Sequence, residues 1–106
     1  MSATTDVRPS PLAGRWYPAD PQQLAQQVDR YLEQAEMPDI SGQIIGVVTP
    51  HAGHQYSGPV AGYAFAALRD LDPEVVIILS PMHQPCAGSI LTTGHHAYHT
   101  PLGDVP

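Results

Sequence analysis

Residues 44–59 have the sequence IIGVVTPHAGHQYSGP, and residues 75–83 have the sequence VVIILSPMH. Each segment begins with a short run of β-branched and apolar residues, which is typical of a strand buried on both faces of a parallel sheet. Each run is followed by a proline-containing turn and then by a histidine. The pattern predicts buried strands over 44–48 and 75–79, each with a histidine beyond its carboxyl end.

A helix between these two strands would complete a right-handed parallel crossover, the basic unit of an α/β fold. The alanine-rich residues 59–71 predict this helix, with Ser57 or Gly58 as its cap and Pro59 in its first turn. A third, shorter strand is predicted over residues 89–93.

The first part of the chain contains one further element. Residues 1–19 are expected to be an irregular lead-in. A helix is predicted over 21–36, because Asp20 can act as its N-cap, Pro21 suits the first helical position, and apolar residues follow at helical spacing. Residues 1–106 are therefore interpreted as part of one α/β domain, and we expect them to be the N-terminal portion of a larger fold.

Composition excludes several classes of partner. The 106 residues contain ten acidic side chains against four arginines and no lysine, which gives a formal net charge of −6. Because binding to nucleic acid or to an anionic membrane surface depends on basic side chains, neither partner is expected. The single cysteine, Cys86, cannot form an internal disulfide, and no run is long enough to span a membrane. A cytoplasmic location is expected.

His51 and His83 are the candidate metal ligands. Ligands bind beyond the carboxyl ends of parallel strands, and neighbouring strands lie about 4.8 Å apart. The two imidazoles would then be close enough to share one metal ion, and imidazole suits zinc, copper or iron. The alternative is that each histidine is a loop residue bonded to a backbone carbonyl.

Three further side chains lie near the predicted start of the second helix. His54, three residues beyond His51, is interpreted as a metal ligand, a substrate contact or an inert surface residue. Tyr56 could donate a hydrogen bond to a ligand oxygen, and Ser57 either contacts a ligand or caps the helix.

Cys86 is expected to be structural, because no basic residue lies near it in sequence to activate its thiol. The cluster of His95, His96 and His99 could bind metal adventitiously.

The chain resembles the Memo protein family, whose prokaryotic members are also called AmmeMemoRadiSam system protein B. The resemblance rests on four segments in the order of the family, which are AGRWYP at 13–18, PHAG and YSGP at 50–59, SPMH at 80–83 and TPLGD at 100–104. It implies an α/β parallel-sheet sandwich similar to the class III extradiol ring-cleaving dioxygenases, with a metal site at the strand ends. It places ligands at His51 and His83, and it places a further histidine and a cysteine in a later part of the longer family chain.

The resemblance also implies iron or copper as the metal, and a radical-SAM protein and an AMMECR-type protein as partners. The family usually has an aromatic residue at the position of His54 and serine at the position of Met82.

The first functional hypothesis is a non-haem metal-dependent oxidoreductase, with dioxygenase-like or other redox chemistry in the complete protein. The alternatives are a non-enzymatic binding or scaffold protein that uses the same cleft, or an inactive fragment.

Overall fold

Two packed helices and a small three-stranded sheet make up the regular structure of this α/β chain. The computed structural model describes residues 6–106. The elements are, in chain order, β1 (Val7–Arg8), α1 (Pro21–Gln34), α2 (His54–Ala66), β2 (Ala97–Thr100) and β3 (Gly103–Val105). Of the lead-in expected over 1–19, residues 1–5 lie outside the described part, and the remainder is irregular apart from β1 and a bridge between Ala13 and Tyr17.

Helix α1 forms where its local signals predict it. The Asp20 carboxylate accepts a hydrogen bond of 2.8 Å from the Gln23 backbone N–H, which satisfies one of the donors that a helix start leaves free. Pro21 occupies the first turn, where its missing N–H costs nothing. Leu24, from the apolar stripe, is only 5% exposed. The predicted helix over 21–36 is confirmed, with its end two residues earlier.

Helix α2 begins earlier than the sequence predicts. Its N-cap is Gly53, which makes no side-chain cap, so the expected cap at Ser57 or Gly58 is wrong. The first helical N–H, that of His54, is satisfied instead by the Trp16 carbonyl oxygen at 2.8 Å. Pro59 therefore lies inside the helix and not in its first turn. The helix ends at Ala66, and residues 67–70 continue as turns, in which the Leu68 and Arg69 N–H groups bond to carbonyl oxygens three residues earlier.

The two helices approach closely because two glycines of α2 face α1. Gly58 and Gly62 are both buried. A Cβ atom at Gly58 would lie 2.3 Å from the Tyr31 ring, and one at Gly62 would lie 2.4 Å from the Tyr31 carbonyl oxygen. A side chain at Gly58 would displace the Tyr31 ring, and one at Gly62 would push the two helix backbones apart. This contact between α1 and α2 holds the start of α2, and with it the turn that carries His51, against the first half of the chain.

The sheet has the order β1-β2-β3 and is mixed. Strand β1 pairs with β2 in parallel, and β2 pairs with β3 in antiparallel orientation. The hairpin between β2 and β3 is closed by the Thr100 hydroxyl, which donates to the Gly103 carbonyl oxygen at 2.7 Å. Gly103 has a φ of +131°, a conformation that favours glycine.

The predicted strands over 44–48, 75–79 and 89–93 are wrong, because residues 6–106 form their sheet from other segments. A buried parallel strand needs hydrogen-bonded neighbours and an apolar layer on each face. Neither is present around the two apolar runs: Val48 is 100% exposed and Ile77 is 81% exposed. The parallel crossover expected between them is therefore not formed.

Candidate functional site

His51 and His83 lie in contact although 32 positions separate them in the sequence. Their Nε2 atoms are 3.1 Å apart, and their ring centroids are 5.2 Å apart with the ring planes inclined at 34°. Both side chains are exposed. His51 belongs to the turn before α2, and His83 to the irregular segment that follows the second apolar run. The structure thus brings the two candidate ligands together without a sheet between them.

The spacing of the two Nε2 atoms fits one shared metal ion. Imidazole nitrogen binds zinc at about 2.0–2.1 Å, so two nitrogens 3.1 Å apart can both reach a single ion of this kind. A direct N–H···N hydrogen bond fits the same distance. Within residues 6–106 no group of three or more histidine, cysteine or carboxylate side chains is arranged to hold a metal. The described residues therefore supply two donors.

His54 is held differently from the other five histidines, all of which are exposed. Its Nδ1 donates to Gln27 Oε1 of α1 at 3.1 Å, and its ring lies 5.2 Å from the Tyr17 ring. The contacts on both sides leave it half-buried, and this burial lowers the pKa of its imidazole below the ordinary value. His54 is accordingly a packed histidine and not the exposed surface side chain that was one of the expectations.

Ser57 and Tyr56 have different surroundings. The Ser57 hydroxyl donates to the Ala52 carbonyl oxygen at 3.1 Å, so it closes the turn that carries His51 and does not act as the N-cap of α2. The Tyr56 side chain is 76% exposed. It packs near Gly53, where an added Cβ would lie 3.4 Å from the Tyr56 ring.

An open cleft of about 1080 Å³ lies next to four of the candidate residues. His51, His54 and His83 all line it, as does Ser57, whereas Tyr56 and Cys86 do not. Much of the remaining wall is apolar, formed by the facing sides of the two helices and by the lead-in, and includes Leu12, Trp16, Val28, Tyr31, Leu32 and Phe65. The cleft therefore combines an apolar wall with three imidazoles.

Sequence reasoning did not identify the two residues that hold His54. Tyr17 belongs to the AGRWYP segment, but nothing in its local pattern indicates a contact 37 positions away. Gln27 lies between apolar positions of the α1 stripe and appears there as an ordinary helix former. Both contacts depend on how the lead-in and α1 pack against α2.

The cluster near the end of the chain stabilises the sheet. His95 Nδ1 lies 2.7 Å from Asp6 Oδ1, next to β1, and His99 Nδ1 lies 2.7 Å from Asp104 Oδ1, on β3. The His96 backbone N–H donates to the Asp6 carbonyl oxygen. None of these histidines lines the cleft.

Cys86 is an exposed free thiol. Among residues 6–106, neither helix has the length and apolar character needed to cross a membrane.

Comparison with known proteins identifies relatives over almost the whole chain. A family model described as "Memo-like protein" matches residues 8–106. A MEMO1 family protein of Methanopyrus kandleri is 37% identical in an alignment 102 residues long, which covers 89% of this chain and 36% of that protein. MEMO1 family proteins of Pyrobaculum arsenaticum and Nitrosopumilus maritimus are each 35% identical, over 93% and 92% of this chain and 38% and 37% of their own lengths. The chain thus spans a little over a third of these relatives. No solved structure matches it.

Proposed function

Because this chain belongs to the Memo-like protein family, we propose that His51 and His83 are two ligands of one redox-active metal ion, iron or copper. The observation that carries the proposal is the distance of 3.1 Å between their Nε2 atoms. Two imidazoles at this separation form a donor pair suited to iron, copper or zinc. A bound ion would act as a Lewis acid or a redox centre for a substrate with an oxygen function.

The residues around the pair fix the position of one ligand. The Ser57 hydroxyl holds the Ala52 carbonyl oxygen, one residue after His51, and the Trp16 carbonyl oxygen holds the first N–H of α2. The turn between these two bonds is therefore tied both to the lead-in and to its own helix. His83 has no such support in residues 6–106, since the segment around it is exposed and irregular.

Two donors leave coordination positions for other groups. We propose that the whole protein of this family supplies the remaining ligands and has the parallel sandwich architecture similar to class III extradiol dioxygenases. Its reaction is proposed to be a metal-dependent oxidation, and its partners a radical-SAM protein and an AMMECR-type protein. These statements concern the longer protein, because this chain spans only 36–38% of the relatives it matches.

Copper binding to the tag-free chain tests the two-histidine site. Cu²⁺ is the preferred probe, because it binds nitrogen donors more tightly than the other divalent first-row metals. We expect one tight Cu²⁺ per chain, with nitrogen hyperfine splitting from two imidazoles in the electron paramagnetic resonance spectrum. His51→Ala and His83→Ala should each abolish this signal. His96→Ala is the matched control, because His96 is equally exposed and lies outside the cleft.

Unchanged copper stoichiometry and hyperfine splitting in both His51→Ala and His83→Ala would overturn the proposal. Loss of the signal in His96→Ala alone would assign the metal to the sheet cluster instead. Anaerobic titration with Fe²⁺, carried out on the same four proteins, then distinguishes iron from copper as the metal that the pair holds.

A further inference from the structure

Residues 75–79 form an unbroken apolar run whose backbone has no partner. All five side chains, from Val75 to Leu79, are between 68% and 91% exposed. Among residues 6–106, no hydrogen bond joins the N–H or carbonyl groups of this run to the backbone of another segment. An apolar run with free backbone groups is a template for pairing with another strand. A further strand can therefore be added at this run.

The run lies in a long stretch of chain without charge. No aspartate, glutamate, lysine or arginine occurs between residues 75 and 103. The same is true of residues 40–68, which contain the other apolar run, 44–48. The centre of a protein interface is depleted of charged side chains. The run thus fits an uncharged, apolar strand and offers nothing for a charged peptide to pair with.

Such a strand is present in a second copy of the same run. In an antiparallel pair centred on Ile77, the two Ile77 residues face each other across the strands. Val75 of one copy then faces Leu79 of the other, and Val76 faces Ile78. Each cross-strand pair consists of two large apolar side chains, and pairs of this kind stabilise a sheet. The run is therefore complementary to itself.

The charges just before the run select the antiparallel orientation. Asp72 and Glu74 precede it in the sequence. In a parallel pair in register, each carboxylate would face its own copy, and like charges directly opposite each other are destabilising. In the antiparallel pair, Glu74 faces Ser80 instead. Asp72 likewise faces Met82, which is uncharged. The two carboxylates therefore disfavour parallel stacking and are compatible with a two-fold dimer.

The exposed apolar area is of the size that a dimer needs. Ile45 and Val48, in the run that precedes His51, are 95% and 100% exposed. Because His51 and His83 are in contact, the two runs end close together. Burying one such side chain removes about 60–120 Å² from water, so these two and the five of 75–79 offer roughly 400–850 Å² per copy. A standard interface takes about 800 Å² from each partner.

We propose that two copies of this chain associate through residues 75–79, which pair as antiparallel strands across a two-fold axis at Ile77. The neighbouring run over 44–48 adds apolar surface to the interface. The two-fold axis places the two copies of His83 at opposite ends of the paired strands. Each chain then keeps its own contact between His51 and His83, so the dimer does not depend on the metal site.

Sedimentation equilibrium of the tag-free chain, with a metal chelator present, tests for the dimer. The chelator prevents association through metal ions that bridge histidines. We expect the mass to rise from one chain to two as the protein concentration increases. Ile77→Lys places two ammonium groups opposite each other and should raise the dimer dissociation constant by more than about tenfold. Ile90→Lys is the matched control, because Ile90 is 90% exposed and lies outside the run.

A pair of opposite charges tests whether the partner is a second copy. Ile77→Glu alone should be monomeric for the same reason as Ile77→Lys. An equimolar mixture of the two variants should dimerise, because opposite charges then face each other across the strands. Since Ile77 is 81% exposed, neither substitution disturbs packing within the chain, and the circular dichroism of each variant should match that of the parent chain.

Cysteine cross-linking tests the register, in a Cys86→Ser chain so that the exposed native thiol does not react. Residues directly opposite each other have Cα atoms about 4.5–5.5 Å apart, which suits a disulfide. Ile77→Cys should therefore form a covalent dimer on mild oxidation. Val75→Cys should do so only when mixed with Leu79→Cys, because two copies of Val75 lie about 14 Å apart along antiparallel strands.

A mass of one chain at millimolar concentration, or growth beyond two chains, would overturn the proposal. So would an Ile77→Lys variant that associates as strongly as the parent chain. Self-linking of Val75→Cys as efficient as that of Ile77→Cys would replace the two-fold pair by parallel stacking. A monomer with the N–H groups of 75–79 protected from hydrogen exchange would show that the chain covers its own run, and would also refute the dimer. Copper binding at His51 and His83 is measured separately and is not affected by these outcomes.

Discussion

Replacing Gly62 by alanine tests the contact between α1 and α2 that positions the cleft. The new Cβ would lie 2.4 Å from the Tyr31 carbonyl oxygen and 2.9 Å from the Tyr31 carbonyl carbon. Ordinary contacts begin at 3.4 Å, so the two helices must separate by about 1 Å. Backbone atoms of a helix cannot rotate out of the way as a side chain can, and the whole interface has to open.

The size of the effect follows from two opposing terms. Forcing extra atoms into a packed contact costs about 1–3 kcal/mol, and a clash with backbone belongs at the upper end of that range. Alanine is a better helix former than glycine by about 1 kcal/mol, which offsets part of the cost. We therefore expect Gly62→Ala to lower the free energy of unfolding by about 2 kcal/mol, measured by urea titration of the circular dichroism at 222 nm.

A double-mutant cycle with Tyr31 gives the decisive comparison. At Gly58 the clash is with the Tyr31 ring itself, so Tyr31→Ala should relieve the effect of Gly58→Ala. At Gly62 the clash is with the Tyr31 backbone, and Tyr31→Ala should give no relief. Val60→Ala, on the exposed side of α2, controls for helix propensity and should not destabilise the chain. A Gly62→Ala variant as stable as the parent chain, or one rescued by Tyr31→Ala, would refute the packing argument.

Three further predictions use the same urea titration. Asp20→Ala removes the acceptor for the Gln23 N–H and should lower the free energy of unfolding by about 1 kcal/mol. Asp20→Asn keeps an acceptor and should change it little. Equal losses in the two variants would contradict the capping role. Pro59→Ala restores an N–H donor inside α2 and should raise the free energy of unfolding, and a decrease would show that the proline is required for packing. The pKa of His54 is lower in the folded chain than in the unfolded chain, so the unfolded chain binds a proton more readily. The free energy of unfolding should therefore be highest above the ordinary histidine pKa and should fall as the pH is lowered through the folded pKa. The drop should be smaller in His54→Asn, and an identical pH dependence in the two proteins would contradict the assignment.

Elements whose signals are local could be predicted from the sequence. Helix α1 needs only Asp20, Pro21 and an apolar stripe, all within one segment, and it forms at Pro21–Gln34. The start of α2 could not be predicted in the same way, because Gly53 offers no capping side chain. The partner of the first helical N–H is the Trp16 carbonyl oxygen, 38 positions earlier in the chain, and no local pattern indicates it.

The predicted strands failed for a related reason. A run such as 75–79 has the side chains of a buried strand, but a strand forms only when neighbouring chain supplies its hydrogen bonds and covers its faces. In residues 6–106 no such neighbour is present, and the apolar run remains exposed. The apolar pattern therefore indicates that this segment is able to pack in a core, but in residues 6–106 its side chains stay exposed. The small sheet forms instead at segments whose pairing depends on long-range contacts, such as Asp6 with His95.

The contact between His51 and His83 requires more than the two side chains. Closing a flexible connection of 32 residues costs about 2–3 kcal/mol, depending on how much of it α2 already orders. A single exposed hydrogen bond between imidazoles contributes about 0.5–1.5 kcal/mol and does not offset that cost. The remainder must come from packing of the neighbouring segments or from an ion shared by both nitrogens. Burial of the apolar runs over 44–48 and 75–79 would hold both histidines in place, because each run directly precedes one of them. Metal affinity at the pair should therefore rise by up to about two orders of magnitude in any form of the protein in which these runs are covered.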